Sequence, residues 1–145
     1  MPVPGDTFSL TDHEHLTVTT LTDDLLEVDA RWDPSDDEPH PLPHRHPNQD
    51  EHFVVLEGEL TARTDGVEHV LRAGDTIDVP RGTTHAMWNT HAGPTRATWQ
   101  VRPALRTAEM WATLDGLRRA AGRMPTPEEG AAFLETYAPE FELAL

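Results

Sequence analysis

The stretch that decides the fold runs from His44 to Gly58 and reads HRHPNQDEHFVVLEG. It places His44 and His46 two residues apart. Side chains in a β-strand alternate between its two faces, so both imidazoles are expected to point the same way. After a short turn the chain can return as a second strand, Asp50 to Leu56, which would bring the carboxylate of Glu51 beside the two histidines.

A second block from Gly74 to Asn89, GDTIDVPRGTTHAMWN, adds a further histidine, His85, behind a strand and a Pro-Arg-Gly turn. Neutral imidazole nitrogens with one carboxylate oxygen suit Fe(II), Mn(II), Ni(II), Zn(II) or Cu(II), and they are too rich in nitrogen for calcium or magnesium. Four protein ligands leave room on a five- or six-coordinate ion for substrate or water. We therefore expect one divalent transition-metal ion, with Fe(II) favoured.

These two blocks resemble the motifs of the cupin superfamily, His-x-His-x4-Glu-x6-Gly and Gly-x5-Pro-x-Gly-x2-His-x3-Asn. One departure is Glu38, which stands where the family often has a glycine six residues before the first histidine. The resemblance implies a metal site built from His44, His46, Glu51 and His85. The other motif positions are filled by Gly58, Gly74, Pro80, Gly82 and Asn89.

The strand pattern independently suits an all-β double-stranded β-helix, or jelly-roll barrel. Short stretches of alternating or β-rich sequence recur from Thr7 to Val101, and Asp65-Gly66 predicts a hairpin turn between the two motifs. Because a single hairpin joins the two motifs, we expect a compact antiparallel meander. The strand Thr95–Val101 is expected to close the sheet. We assign residues 1–102 to the barrel, with its metal motifs at 44–58 and 74–89.

Residues 103–145 are expected to form a helical extension packed on the barrel within the same domain. Apolar residues recur at helical spacing from Met110 to Ala121, and Gly122 ends that run. A second helix is indicated by the capping box that Thr126 and Glu129 form around a proline. The helices could cover the outside of the barrel or a dimer partner, or could form a lid over its mouth.

Several other residues are candidates for the site. Glu51 is expected either to ligate the ion or to move off it and take a proton from substrate. Each of the substrate-pocket candidates could instead serve only in core packing, in a turn or on the solvated surface. The candidates are His40, Phe53, Val55, Met87 and Asn89.

The composition narrows the function classes. A formal net charge of −15 repels phosphate backbones and anionic lipid, so we expect neither nucleic acid nor a membrane as partner. The chain has no cysteine, which excludes thiolate chemistry and fits a reducing compartment, and it carries no apolar run of membrane-spanning length. These features favour a cytoplasmic protein. A homodimer is the expected assembly, and a small molecule is the expected ligand.

Two classes of function remain open. The resemblance implies an enzyme, either a mononuclear Fe(II) dioxygenase or a redox-neutral isomerase, decarboxylase or lyase on the same metal site. The alternative is a non-catalytic module that senses a small ligand. The sequence does not contain the basic DNA-binding helix pair that commonly accompanies such sensors.

Overall fold

The computed structural model describes residues 1–35 and 42–144, and in these ranges the chain forms two antiparallel sheets with two helices. The strands are β1 (Thr7–Ser9), β2 (Glu14–Leu21), β3 (Leu26–Trp32), β4 (His44–Arg45), β5 (Asp50–Glu57), β6 (Glu59–Thr64), β7 (Val67–Arg72), β8 (Thr76–Val79), β9 (His85–Trp88), β10 (Thr95–Arg102) and β11 (Glu142–Leu143). The helices are α1 (Thr107–Ala121) and α2 (Pro127–Thr136).

The two sheets face each other as a jelly roll. One sheet has the strand order β1-β2-β3-β10-β5-β8, and the other has the order β11-β4-β9-β6-β7. The all-β jelly-roll class and the C-terminal helices expected from the sequence are confirmed. The chain passes repeatedly between the sheets, so strands adjacent in sequence often lie on opposite sides of the core.

Strand pairing corrects one of the sequence expectations. The bridge between the motifs is not a simple meander, because β6 and β7 pair as a hairpin in one sheet while β5 pairs with β8 in the other. Strand β10 lies in the middle of its sheet, between β3 and β5. Local alternation reveals which residues form strands, but it carries no information on distant hydrogen-bond partners.

The core forms where the inward faces of the two sheets meet. Period-two alternation puts Leu16, Val28 and Phe53 inside, each about 1% exposed. Aromatic contacts extend this core to α1, because the centroid of the Trp99 ring lies 5.1 Å from that of Phe53 and 4.9 Å from that of Trp111. Helix α1 is thus packed against the end of the barrel at which Trp99 lies.

Helix α2 begins as the capping pattern predicts. The backbone N–H of Glu129 donates to the Thr126 hydroxyl oxygen at 3.2 Å, and proline occupies the first turn. Beyond α2 the chain returns to the barrel, where Glu142 and Leu143 pair with Arg45 and His44. The C-terminal segment is therefore an edge strand beside the first histidine motif. In the described parts of the chain, no helix combines the length and apolar character needed to cross a membrane.

Gly58 joins β5 to β6 at a close approach of the backbone. Its φ is +76°, and a Cβ there would lie 2.6 Å from the carbonyl oxygen of Pro94 and 2.9 Å from the hydroxyl oxygen of Thr95. Only glycine satisfies both the left-handed conformation and this contact. The passage of the chain from one sheet to the other depends on it.

We predict that Gly58→Ala lowers the free energy of unfolding by about 3 kcal/mol, from left-handed strain together with the collision. Gly66→Ala is the matched control, because Gly66 also has a positive φ of +83° but open space around its Cβ position. That variant should lose only about 1 kcal/mol. Urea unfolding measures both, and equal losses would show that the contact with Pro94 is unimportant.

Candidate metal site

Three histidines converge between the sheets. His44 on β4 pairs directly with His85 on β9, and His46 follows one residue after β4. One ligand nitrogen from each lies within 4.8 Å of the others, a spacing at which the three could hold one metal ion. The ring centroid of His44 is 4.3 Å from that of His85 and 5.1 Å from that of His46. The structure thus brings together the three histidines that the motifs predict.

In all three rings the Nδ1 atom contacts a backbone carbonyl oxygen. The Nδ1 atoms of His44, His46 and His85 lie 3.2, 2.8 and 3.0 Å from the carbonyl oxygens of Leu42, Glu140 and Thr83. A carbonyl can only accept a hydrogen bond, so each Nδ1 carries a hydrogen. In the neutral rings the lone pair is then on Nε2, the atom left for an ion.

Glu51 lies on the inward face of β5, beside two of the histidines. Its Oε1 is 3.1 Å from Nε2 of His46 and 2.9 Å from Nε2 of His85. The other carboxylate oxygen accepts a hydrogen bond from the indole N–H of Trp99 at 2.6 Å. Strands β4 and β5 belong to different sheets, so Glu51 reaches the histidines across the core rather than along a hairpin.

The chemistry of these groups fits a transition-metal ion. His46, Glu51 and His85 are 6%, 3% and 3% exposed. Nε2 of His46 and Oε1 of Glu51 are buried 3.1 Å apart, close enough to attract each other but without the alignment of a regular hydrogen bond to any group. Buried polar atoms are costly when they are left unpaired. A cation held by three imidazole nitrogens and the carboxylate oxygen would satisfy both of these atoms.

The protonation of these groups without an ion follows from their surroundings. Burial, aided by the neighbouring His85 and His46, lowers the pKa of His44 to about 3, so this ring stays neutral. Burial also disfavours charge on His46 and Glu51, but their mutual attraction prevails, raising the pKa of His46 and lowering that of Glu51. An ion at this site would displace the proton on His46.

The family is established by comparison with known proteins. Residues 30–101 match the family model described as a cupin domain. An RmlC-like cupin from Shewanella frigidimarina has the same fold, with a TM-score of 0.62 at 21% identity over 72% of this chain and 88% of that one. The chain belongs to the cupin superfamily.

Relatives of this cupin among curated proteins match over shorter segments. An oxidoreductase of Arthrobotrys oligospora is 41% identical over 51 residues, covering 34% of this chain and 20% of that protein. An oxidoreductase of Pestalotiopsis fici is 46% identical over 46 residues, covering 31% of this chain and 22% of that protein. This cupin therefore spans about a fifth of the length of each.

The C-terminal segment of the cupin completes the surroundings of the histidines. The carbonyl of Glu140 orients His46, and the Phe141 ring stacks on His44 with centroids 4.8 Å apart. The segment is fixed by Arg106, whose Nε donates to the buried Glu140 carboxylate at 3.0 Å. The sequence left open whether this region covers the barrel wall or its mouth. Residues 140 and 141 pack directly against the histidine cluster.

A cavity of about 60 Å³ adjoins the histidines. Phe53 and Met87, two of the pocket candidates, line it together with Trp32, Trp99, His44, His85 and Glu14. The candidates Val55 and Asn89 are buried but are not part of this lining. The Asn89 amide instead donates to the carbonyls of Trp32 and Gly93, which indicates a structural role. His40 lies outside the described residues.

Glu14 is the site residue that sequence reasoning missed. It begins β2 and shares the inward face with Leu16 and Val18, yet it carries a carboxylate. Burial, followed by the nearby charge of Glu51, raises its pKa to about 7. The available signal was the alternation of β2 itself, since a charged residue in phase with two buried aliphatic residues points into the core.

We predict that Trp99→Phe weakens metal binding by tenfold or more, because the indole N–H holds the carboxylate of Glu51 in place. Phenylalanine keeps the aromatic packing while removing that donor. Trp111→Phe is the matched control, since Trp111 packs against Trp99 but makes no described hydrogen bond to Glu51. Affinity is measured by competition with a chromophoric chelator. Equal affinity in the two variants would show that the Trp99 hydrogen bond does not support the site.

The raised pKa of Glu14 predicts a pH-dependent stability of the metal-free protein. Between about pH 4.5 and about 7 the folded state retains a proton that the unfolded state releases, so the stability contributed by this group falls as pH rises. Glu14→Gln removes the ionisable group, and with it the free-energy cost of ionising the Glu14 carboxyl in the folded state. In the presence of a chelator, its melting temperature should exceed that of the wild type above pH 7, and the difference should shrink towards pH 4.5.

Glu68→Gln is the control for this measurement, because Glu68 is exposed on β7 in the opposite sheet and its replacement also removes one negative charge. Its effect on the melting temperature should change little with pH. A Glu14→Gln effect that is equally independent of pH would contradict the assignment of a raised pKa.

Proposed function

We propose that this cupin is a mononuclear metal-dependent oxidoreductase of the dioxygenase kind, acting on a small organic molecule. The proposed ligands are Nε2 of His44, His46 and His85 and a carboxylate oxygen of Glu51, with Fe(II) as the favoured ion. When bound, such an ion supplies Lewis acidity and one-electron chemistry towards dioxygen.

The observation that carries the proposal is the shared orientation of the three imidazoles. Each gives its Nδ1 hydrogen to a backbone carbonyl and leaves Nε2 facing a common centre, where the ligand nitrogens lie within 4.8 Å of one another. A histidine cluster whose purpose was packing would have no need for three Nε2 atoms to converge. This arrangement is typical of a metal site with its outer-shell partners already in place.

The surrounding residues support chemistry at this centre. The cavity reaches His44 and His85 and is walled by Phe53, Met87 and Trp99, so a small molecule could approach the proposed ion in largely apolar surroundings that limit access of water. Glu51 is positioned either to remain a ligand or to accept a proton from the bound molecule. An oxidative reaction is also favoured by the two oxidoreductases that match segments of this chain.

A redox-neutral reaction on the same ligands is the second candidate. Glu14 is a further carboxyl group in the cavity wall, and isomerisation or lyase chemistry requires a proton donor or acceptor beside the substrate. The two candidates differ in their need for dioxygen, which makes them separable by experiment.

The first test is the metal content of protein purified without chelator and without a nickel column. We expect a single transition-metal ion per chain, with iron predominant. His44→Gln and His85→Gln should each lose most of the metal. His52→Gln is the matched control, because His52 is on the same strand as Glu51 but pairs with Asp78 outside the barrel at 2.6 Å, and it should retain the metal.

The second test separates the reactions. The iron-loaded protein is screened against small organic compounds in an oxygen electrode and, in parallel, under argon with product analysis. Oxygen uptake with product formation supports the dioxygenase proposal. Turnover under argon replaces it with the redox-neutral alternative, and saturable ligand binding without any product would favour the sensor reading. Full metal retention by His85→Gln would overturn the metal site itself.

A further inference from the structure

His46 differs from the other two histidines of the site in the origin of its orienting carbonyl. The Nδ1 atoms of His44 and His85 each contact a carbonyl oxygen only two residues earlier in the chain. The carbonyl that accepts from Nδ1 of His46 belongs to Glu140, which lies 94 residues later, and the two atoms are 2.8 Å apart. The local backbone therefore orients two of the proposed ligands, whereas the third is oriented only when a distant segment is held in place.

Arg106 holds that distant segment at three points. Its Nε donates to the Glu140 carboxylate at 3.0 Å, and its Nη2 donates to the carbonyl oxygen of Thr136 at 2.6 Å. Its guanidinium also lies over the ring of Tyr137, 5.0 Å from the ring centroid. Glu140 is 1% exposed, so the loss of Arg106 would leave a buried carboxylate without its cation. We expect such a carboxylate to move towards water and to take the Glu140 carbonyl with it.

Neighbouring contacts hold the residues on either side of Glu140. The side-chain amide of Asn48 donates to the carbonyl of Pro139 at 2.9 Å, and β11 pairs with β4 at residues 142 and 143. These contacts keep the segment beside the barrel. The ion pair with Arg106 acts directly on the residue whose carbonyl meets His46.

The position of Arg106 is in turn set from the first histidine motif. Gln49 is fully buried, and its side-chain amide donates to the carbonyl of Ala104 at 2.9 Å and to the Thr107 hydroxyl at 2.7 Å, on either side of Arg106. Gln49 follows His46 by three residues. The contacts therefore form a closed ring, which runs from the motif to the start of α1, on to the C-terminal segment and back to the histidine.

We propose that Arg106 is a positioning residue for the metal site. By pairing with the Glu140 carboxylate it holds the Glu140 carbonyl against Nδ1 of His46, and it thereby fixes the direction in which Nε2 of that ring points. Arg106 acts through Glu140, and its effect is directed to the histidine whose carbonyl partner is distant in the chain. The inference rests on the proposed function, in which His46 is a ligand of the ion.

Nuclear magnetic resonance of protein with nitrogen-15 in its histidines, loaded with Zn(II) as a diamagnetic probe ion, tests the inference. The quantity measured is the rate at which each imidazole Nδ1 hydrogen exchanges with solvent. Arg106→Gln should speed this exchange about tenfold at His46 and leave it unchanged at His44 and His85, because the carbonyl partners of those two rings are local. Zinc affinity, measured by competition with a chelator, should fall about tenfold.

Arg123→Gln is the matched control. Arg123 also combines an ion pair, to Glu129 at 3.4 Å, with a hydrogen bond to a backbone carbonyl, and its side chain is 52% exposed against 48% for Arg106. Its replacement removes the same charge and should change neither the exchange rates nor the zinc affinity. Glu140→Gln keeps the backbone carbonyl but weakens the link to Arg106, so it should speed exchange at His46 as Arg106→Gln does.

A double-mutant cycle tests whether Arg106 acts through Glu140. In the Glu140→Gln background, Arg106→Gln should have a much smaller effect on His46 than in the wild type, because both substitutions break one link. An equal effect in the two backgrounds would contradict that route.

The remaining outcomes separate this inference from the proposed function. If the Arg106→Gln protein binds zinc as tightly as the wild type and exchange at His46 is unchanged, Arg106 is not a positioning residue and the metal site stands. Equal acceleration at all three histidines would reduce Arg106 to a general folding contact and refute the inference. A wild-type protein that binds neither zinc nor iron would refute the proposed function, and exchange at His46 in the metal-free protein would then still decide whether Arg106 orients that ring.

Discussion

Three hydrogen bonds from imidazole Nδ1 atoms to backbone carbonyls are the constraint on which the site depends. They fix the ring orientation of His44, His46 and His85, and they leave each Nε2 facing the same small volume. The accepting carbonyls come from three separate parts of the chain, at residues 42, 83 and 140. The geometry of the centre is thus set by the backbone, which moves much less readily than side chains do.

The same constraint explains how a carboxylate can be buried here. Glu51 is 3% exposed, and its charge is compensated by His46 and the Trp99 N–H rather than by water. Burial of such a pair gains little stability by itself, because desolvation offsets most of the attraction. The arrangement is better understood as preorganisation. The negative charge of Glu51 and the imidazole nitrogens are held in position for a cation, at a cost in folding free energy.

The sequence predicted the fold class and the residues that meet at the centre, because motif spacing and strand alternation are local properties. His44, His46, Glu51 and His85 were named from their spacing and from its resemblance to the cupin motifs, and the structure brings all four together. The pairing of the strands was harder to predict from the sequence. The placement of β10 between β3 and β5 depends on hydrogen bonds between distant segments, which periodicity does not encode.

The two contributions that sequence reasoning missed both come from segments far from the motifs. Glu14 belongs to the second strand, and its inward direction is visible from alternation only once β2 is known to line the cavity. The backbone carbonyl of Glu140 has no sequence signature at all, because every residue carries a carbonyl. The motifs predicted the side chains proposed as ligands, whereas the groups that orient these side chains depend on tertiary structure.

The link between His46 and Glu140 has a consequence for the order of events during synthesis. The two residues are 94 positions apart, and Phe141, which stacks on His44, is made later still. A nascent chain that has emerged only as far as the second histidine motif has the proposed ligands but lacks the group that orients one of them. An ion at the proposed site would therefore meet the complete set of oriented imidazoles only after the C-terminal segment has reached the barrel.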